Sequence, residues 1–210
     1  MRVVRPVVRS FRDPFLPQAL AWVRAGGHAV VRLSPHKTRL VFPRPRKGDE
    51  HDLGWWSVLD MGRLSYKIAR DGTLFGGLAY IAVPNDCYAI VHDRIVRDSI
   101  HPGPHRSLEL DCLECGSCCR DNRVELEAHD VDRFEAAGRG DLARPPFARR
   151  EAGVVVLVLA PSKDCKHLAG DNKCGIYALR PDACSHFPVG SECCLSAREE
   201  ELGIIDGLKE

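Results

Sequence analysis

DCLECGSCCR, residues 111–120, places Cys112, Cys115, Cys118 and Cys119 within eight positions. The first three follow C-x2-C-x2-C. A two-residue spacer lets a tight turn aim both flanking sulfurs at one ion, and Gly116 gives that turn access to positive φ. Three ligands from one loop can fill three corners of a metal site and leave the fourth to a distant residue. Adjacent cysteines point in different directions, so Cys118 and Cys119 can serve different sites. The distant thiols are Cys165, Cys174, Cys184, Cys193 and Cys194. Together they suffice for two four-coordinate sites, or for one site with thiols in reserve. His167 and His186 stand near cysteines and could complete a Cys3His site, although single histidines in turns are commonly solvated or hydrogen-bonded. Cys87, alone in the first half of the chain, reads as a small core residue.

The totals bound what surrounds this cluster. At 210 residues, 44% apolar and 28% charged, the chain has the composition of a folded protein of one large or two small domains. The longest apolar run, VVVLVLA at 154–160, is strand-sized, so no membrane span is expected. MRVVRPVVRS lacks the continuous apolar core and small-residue cleavage site of a signal peptide. A cytoplasmic location is therefore expected, where clustered cysteines hold metal more often than disulfides; export would favour a disulfide framework instead. Residues 1–105 carry 16 Lys+Arg against 9 Asp+Glu, and residues 106–210 carry 14 against 20. The basic residues are scattered and no nucleic-acid motif accompanies them, so no nucleic-acid partner is expected.

Along the chain, residues 1–105 read as a mixed α/β region of unrecognised type. Asp13 and Pro14 suit the start of a helix through FLPQALAWVRA that stops at Gly26-Gly27. HAVVRLS, TRLVF and GLAYIAV are strand-like. The stretch 43–52 is a solvated loop, 57–72 suggests a helix, and CYAIVHDRIVRDSI a further helix or a strand. Trp55-Trp56 reads as a core or loop anchor rather than a binding platform. HPGPHRS at 101–107 is the expected boundary. Beyond it, RVEL is a short strand, HDVDRFEAAG a helix, GDLARPPFARREAG a loop and VVVLVLA a buried strand; residues 106–210 form the metal-binding domain. The fold class expected is α+β, a mixed N-terminal region followed by a small cysteine-rich domain of short helices and strands stabilised by metal.

DCLECGSCCR, followed by DCKHL, KCGIYALRPDACSHFP and a late CC, resembles the YkgJ-type cysteine-cluster family, a zinc- or iron-chelating CxxCxxCC domain, over about 110–195. The matching positions are Cys112, Cys115, Gly116, Cys118, Cys119 and Arg120, then Cys165, Leu168, Cys174, Ile176 and Tyr177, then Arg180, Pro181, Cys184, Phe187 and Pro188. The last ligand falls on Cys193 or Cys194. One departure is Ser185, where the family commonly carries an arginine. The resemblance implies metal ligands at Cys112, Cys115, Cys118, Cys119, Cys165, Cys174, Cys184 and one of Cys193 and Cys194, with Arg120 and Arg180 balancing thiolate charge or donating hydrogen bonds to sulfur. Some flagellin lysine-N-methylases look similar in this motif, yet no Gly-rich nucleotide site is visible in residues 1–105.

Three clustered cysteines with a distant fourth are closer to an iron–sulfur arrangement than to the paired CxxC of a zinc ribbon, so an iron–sulfur cluster is favoured slightly over zinc. The metal could be structural, could serve a redox or methyltransferase-like enzyme, or could be cargo exchanged through exposed thiols. No GxSxG, HExxH or Walker loop occurs, and enzyme status stays open. His92-Asp93 and His129-Asp130 read as solvated surface, because sequence neighbours do not face each other on a helix.

Overall fold

The computed structural model describes residues 2–45, 65–187 and 189–206. Pro188, Trp55-Trp56, most of the loop expected at 43–52 and the first half of the helix expected over 57–72 lie outside the described residues. The fold is α+β and divides into two compact units. One comprises the described residues of 2–109 with Gly190–Leu195 and 205–206. The other comprises Leu110–Val189 with Ser196–Ile204. Among the described residues no helix is long and apolar enough to cross a membrane.

The first unit is built on a five-stranded sheet ordered β2-β3-β4-β6-β5, from β2 (Val8–Arg12), β3 (His28–Ser34), β4 (Lys37–Phe42), β5 (Lys67–Ile68) and β6 (Ala79–Ala82). β2 and β3 are parallel, which requires a crossover; helix α1 (Leu16–Arg24) supplies it. All other pairs are antiparallel. The pleat sorts side chains to two faces. Ala29, Val31 and Val41 pack with Ala19 and Val23 of α1. Val30, Leu40 and Phe42 pack with Val8, Ile81 and Val91 of α2 (Tyr88–Asp98). Coverage on both faces explains why β3 begins as four consecutive buried residues instead of alternating. Each Val, Leu, Ile or Phe side chain buried in this way contributes roughly 1.5–3 kcal/mol of transfer free energy. Cys87 belongs to this core and is fully buried.

Four features of this unit go beyond or against expectation. Arg2–Pro6 and Val8–Arg12, where no element was expected, form strands β1 and β2. HPGPHRS is not wholly linker, since β7 (His105–Glu109) pairs antiparallel with β1 in a separate two-stranded sheet. Lys67–Ile68, within the expected 57–72 helix, is an edge strand against β6, because its backbone pairs there and the chain then turns at Gly72. Asp13 opens a 3-10 turn and caps no helix.

Beneath the sheet lies a buried chain of charges. Glu192 accepts from Arg5 Nη2 through Oε1 and from Arg94 Nη2 through Oε2, each at 2.6 Å. Asp98 Oδ1 lies 3.2 Å from Arg106 Nε, and its Oδ2 accepts the Val8 amide at 2.9 Å. Arg94 also approaches Asp98, at 3.9 Å. Burial pushes the Arg106 guanidinium down to about 10, partly opposed by Asp98.

The second unit contains helices α3 (Cys112–Cys115), α4 (Ala128–Ala136) and α5 (Asp182–Ser185), and a three-stranded antiparallel sheet ordered β8-β10-β9. The strands are β8 (Glu125–Leu126), β9 (Ala148–Glu151) and β10 (Val154–Leu157). β9 lies in the expected loop GDLARPPFARREAG; its charged ARRE run carries no apolar alternation. VVVLVLA is only half-buried, with Val156 and Leu157 inside and Val154 exposed. Val124, Leu126, Phe134, Leu142, Ala148, Leu157 and Ile176 make a core of the unit's own, with Cys165, Cys174 and Cys184 packed against it. Helix α6 (Glu192–Leu202) contributes residues from Ser196 onward.

Candidate metal centre

The chelating loop is shaped locally by three devices. Asp111 caps α3, accepting the Leu113 amide through Oδ1 at 2.9 Å. Gly116 ends the helix in the left-handed region at φ 62°, as expected of the turn between the two cysteine pairs. A Cβ there would also meet the Asn172 carbonyl oxygen at 2.9 Å, so the site excludes side chains twice over. A 3-10 turn, Ser117–Cys119, then reverses the chain.

Backbone pairing brings the second cysteine segment alongside. The Cys165 amide donates to the Cys119 carbonyl at 2.7 Å, and the Asp121 amide to the Lys163 carbonyl at 2.9 Å. Bridges Leu159↔Cys165 and Leu168↔Cys174 fold the segment back on itself. Arg120 locks the arrangement, donating to Asp164 Oδ1 at 2.7 Å and to Asn172 Oδ1. Arg120, expected to balance thiolate charge or donate hydrogen bonds to sulfur, ties these loops together through those two contacts. Arg180 does face the thiols: it is stacked over the Tyr177 ring at 4.2 Å, and its charge partly opposes the burial that raises Cys112 and Cys184 and adds to the hydrogen bond from Cys119 that lowers Cys118.

Cys184 arrives on α5, which is held by a clamp that the sequence reading missed. Asp130 Oδ1 accepts the Asp182 amide at 3.0 Å and the Arg133 guanidinium at 2.5 Å. Arg133 also donates to Asp182 Oδ1 at 2.8 Å and to the Arg180 carbonyl at 3.0 Å, and His129 Nε2 lies 2.8 Å from Asp182 Oδ2. Read as solvated surface, His129-Asp130 is split: His129 is exposed, whereas Asp130 is fully buried. The clue was Arg133, one turn beyond Asp130 and able to pair with it. Their shared partner, some fifty residues on, left no local signal.

Cys118, Cys119, Cys165 and Cys184 line one cavity, whose remaining wall is largely apolar and includes Val124, Leu157 and Leu159. Cys174 stands close enough for its charge to raise Cys119 and Cys184. Cys112 feels Cys118 and Cys115. None of the ten cysteines is in a disulfide. Cys193 and Cys194 fall in the first unit, Cys193 exposed and Cys194 buried, and neither lines the cavity. His167 does not line it either. It is stacked on Phe147 at 4.8 Å, and burial pushes its imidazole down. His186 is exposed beside Asp182.

The protonation of the thiols shows what the cavity disfavours. A hydrogen bond from Cys119 holds Cys118 down at about 7, and the same bond together with burial pushes Cys119 up. Burial, then the neighbouring Cys165, Cys118 and Cys174, pushes Cys184 up to about 12. Burial likewise raises Cys165 and Cys112. Several thiolates cannot coexist in this space without a cation; a bound metal inverts the balance. An all-thiol donor set against an apolar wall fits a soft or borderline metal.

Residues 111–205 match the sequence profile described as "CxxCxxCC: Putative zinc- or iron-chelating domain". This is the family that the cysteine motif resembles. The match supports metal binding by the CxxCxxCC domain and names zinc and iron alike. No curated protein and no solved structure matches the chain. At Ser185, where the resemblance leads one to expect an arginine, the hydroxyl donates to the Asp182 carbonyl at 3.2 Å.

Proposed function

We propose that the CxxCxxCC domain, in a cytoplasmic protein, holds an iron–sulfur cluster through thiolates drawn from Cys112, Cys115, Cys118, Cys119, Cys165, Cys174 and Cys184, of which Cys118, Cys119, Cys165 and Cys184 line one cavity. The observation that carries this reading is the convergence of thiols from three separate segments on one cavity with an apolar wall. Exclusion of water on one side suits a thiolate-ligated cluster, whose potential depends on burial and on hydrogen bonds to sulfur. Such a cluster would supply electron-transfer chemistry; the chain's own residues order its ligands and shield it. The core around Phe134 and Leu142 gives the unit apolar packing independent of metal, which weighs against a metal needed only for folding.

The test is metal and acid-labile sulfide analysis of anaerobically purified protein, with its visible spectrum. Iron with sulfide and a broad band on the order of 400 nm supports the cluster. Colourless protein carrying zinc overturns the cluster and leaves chelation standing, and metal-free protein overturns both. Cys184→Ser is expected to lose most of the bound metal while remaining folded; full metal stoichiometry in that variant would remove Cys184 from the ligand set.

A further inference from the structure

Two polar groups converge on one sulfur of the chelating loop, outside the cavity lining. Arg198 of α6 donates from Nη1 to Cys115 Sγ at 3.2 Å. Ser117 Oγ lies 3.0 Å from the same sulfur, and Ser117 is almost completely buried. The approach of Ser117 is set by the left-handed Gly116 between the two residues, so the contact is built into the turn that shapes the motif. The guanidinium can only donate, while the Ser117–Cys115 contact can run either way; together the two contacts fix the orientation of the Cys115 sulfur. Arg198 is half-buried and carries its charge on a helix of the same unit, remote in sequence from every other part of the loop.

We propose that Arg198, assisted by Ser117, is a positioning residue that orients the Cys115 sulfur as a metal ligand and so sets how firmly the site retains its metal. This rests on the chelation reading above. A donor hydrogen bond to a ligand sulfur orients its lone pairs and withdraws charge from it. Partners of metal ligands in this position typically alter affinity by about 10–100-fold when removed. Arg198 also lends positive charge to the neighbourhood of the site, which favours the more negative, reduced state of any redox-active metal there.

The experiment compares the wild-type chain with Arg198→Gln, Arg198→Lys and Ser117→Ala, purified anaerobically with the metal they hold. The rate of metal transfer to a chromophoric chelator is measured at fixed pH. Arg198→Gln is expected to release metal about tenfold faster or more. Ser117→Ala should show a smaller increase. Arg198→Lys keeps the charge but not the planar donor fork and should recover part of the difference. Where the metal is an iron–sulfur cluster, Arg198→Gln should also lower the midpoint potential, a change that loose packing alone would not produce. Circular dichroism and urea midpoints of the same samples separate unfolding from ligand loss. Wild-type release kinetics in a folded Arg198→Gln protein overturn the proposal and leave chelation intact. A wild-type chain holding no metal overturns both together.

Discussion

Gly116 is the residue on which the motif's geometry turns. Its φ of 62° is open to glycine and strained for other residues, and its missing Cβ leaves room for the Asn172 carbonyl, 2.9 Å from where that atom would stand. Gly116→Ala must therefore bear a left-handed alanine and push aside the loop that Arg120 fastens through Asn172. The expected loss is about 1–2 kcal/mol from the backbone conformation alone, read as a lower urea midpoint, with reduced metal content alongside. An unchanged midpoint would mean that the loop accommodates a side chain, and that the turn is not what aims the cysteines. The role of Gly116 was legible in C-x2-C-G-x-C-C, because a glycine in a spacer this short can take the positive φ that ends the helix and turns the chain. Arg198 left no comparable trace. It lies 83 residues from Cys115, and nothing in AREEEL distinguishes an arginine that reaches a sulfur from one on a solvated helix.

At the scale of elements, periodicity was readable wherever burial followed it. α1, β3, β4, α2 and α4 carry apolar residues at helical spacing or in strand-length runs, and the chain folds them so. The elements that escaped are those whose backbone pairing, and not their side chains, defines them: β1 and β2 interleaved with arginines, β7 beyond a Pro-Gly-Pro turn, and β9 with its ARRE run. β9 is an edge strand, and charge on such an edge discourages pairing with other chains. Its last residue, Glu151, accepts from Arg123 and Arg149, and those hydrogen bonds hold its carboxyl below the usual value, Arg123 foremost. A carboxylate depressed in the folded state adds stability above its unfolded value of 4.5, and that stability is lost as pH falls through the depressed value. Glu151→Gln should accordingly be less stable than wild type near pH 6, with the difference closing towards about pH 3. Urea titrations of both proteins across that range provide the check, and a difference that persists in acid would show that packing, not charge, is responsible.

At the scale of the molecule, the charge pattern and the Pro-Gly-Pro stretch suggest a cut near residue 105, yet the first unit includes Gly190–Leu195 from the far end of the chain. The reason is electrostatic. Arg5, Arg94 and Arg106 are buried in this unit with only Asp98 and Glu192 as described carboxylate partners, and Glu192 is the one shared by Arg5 and Arg94. No reading of local sequence links a glutamate at 192 to arginines at 5 and 94, because the pairing exists only once the sheet and α2 have formed. Glu192→Gln keeps the shape and removes the charge, leaving three buried guanidinium groups facing one carboxylate. Removing one partner from a buried ion pair generally costs about 3–5 kcal/mol, since the remaining charge is stranded away from water. Glu192→Gln should therefore unfold at much lower urea than wild type, and Arg5→Met in the same background should recover part of the loss by removing one stranded charge. A Glu192→Gln protein within about 1 kcal/mol of wild type would show that these arginines reach solvent or another counter-charge, and the segment 190–195 would then belong to the first unit by packing alone.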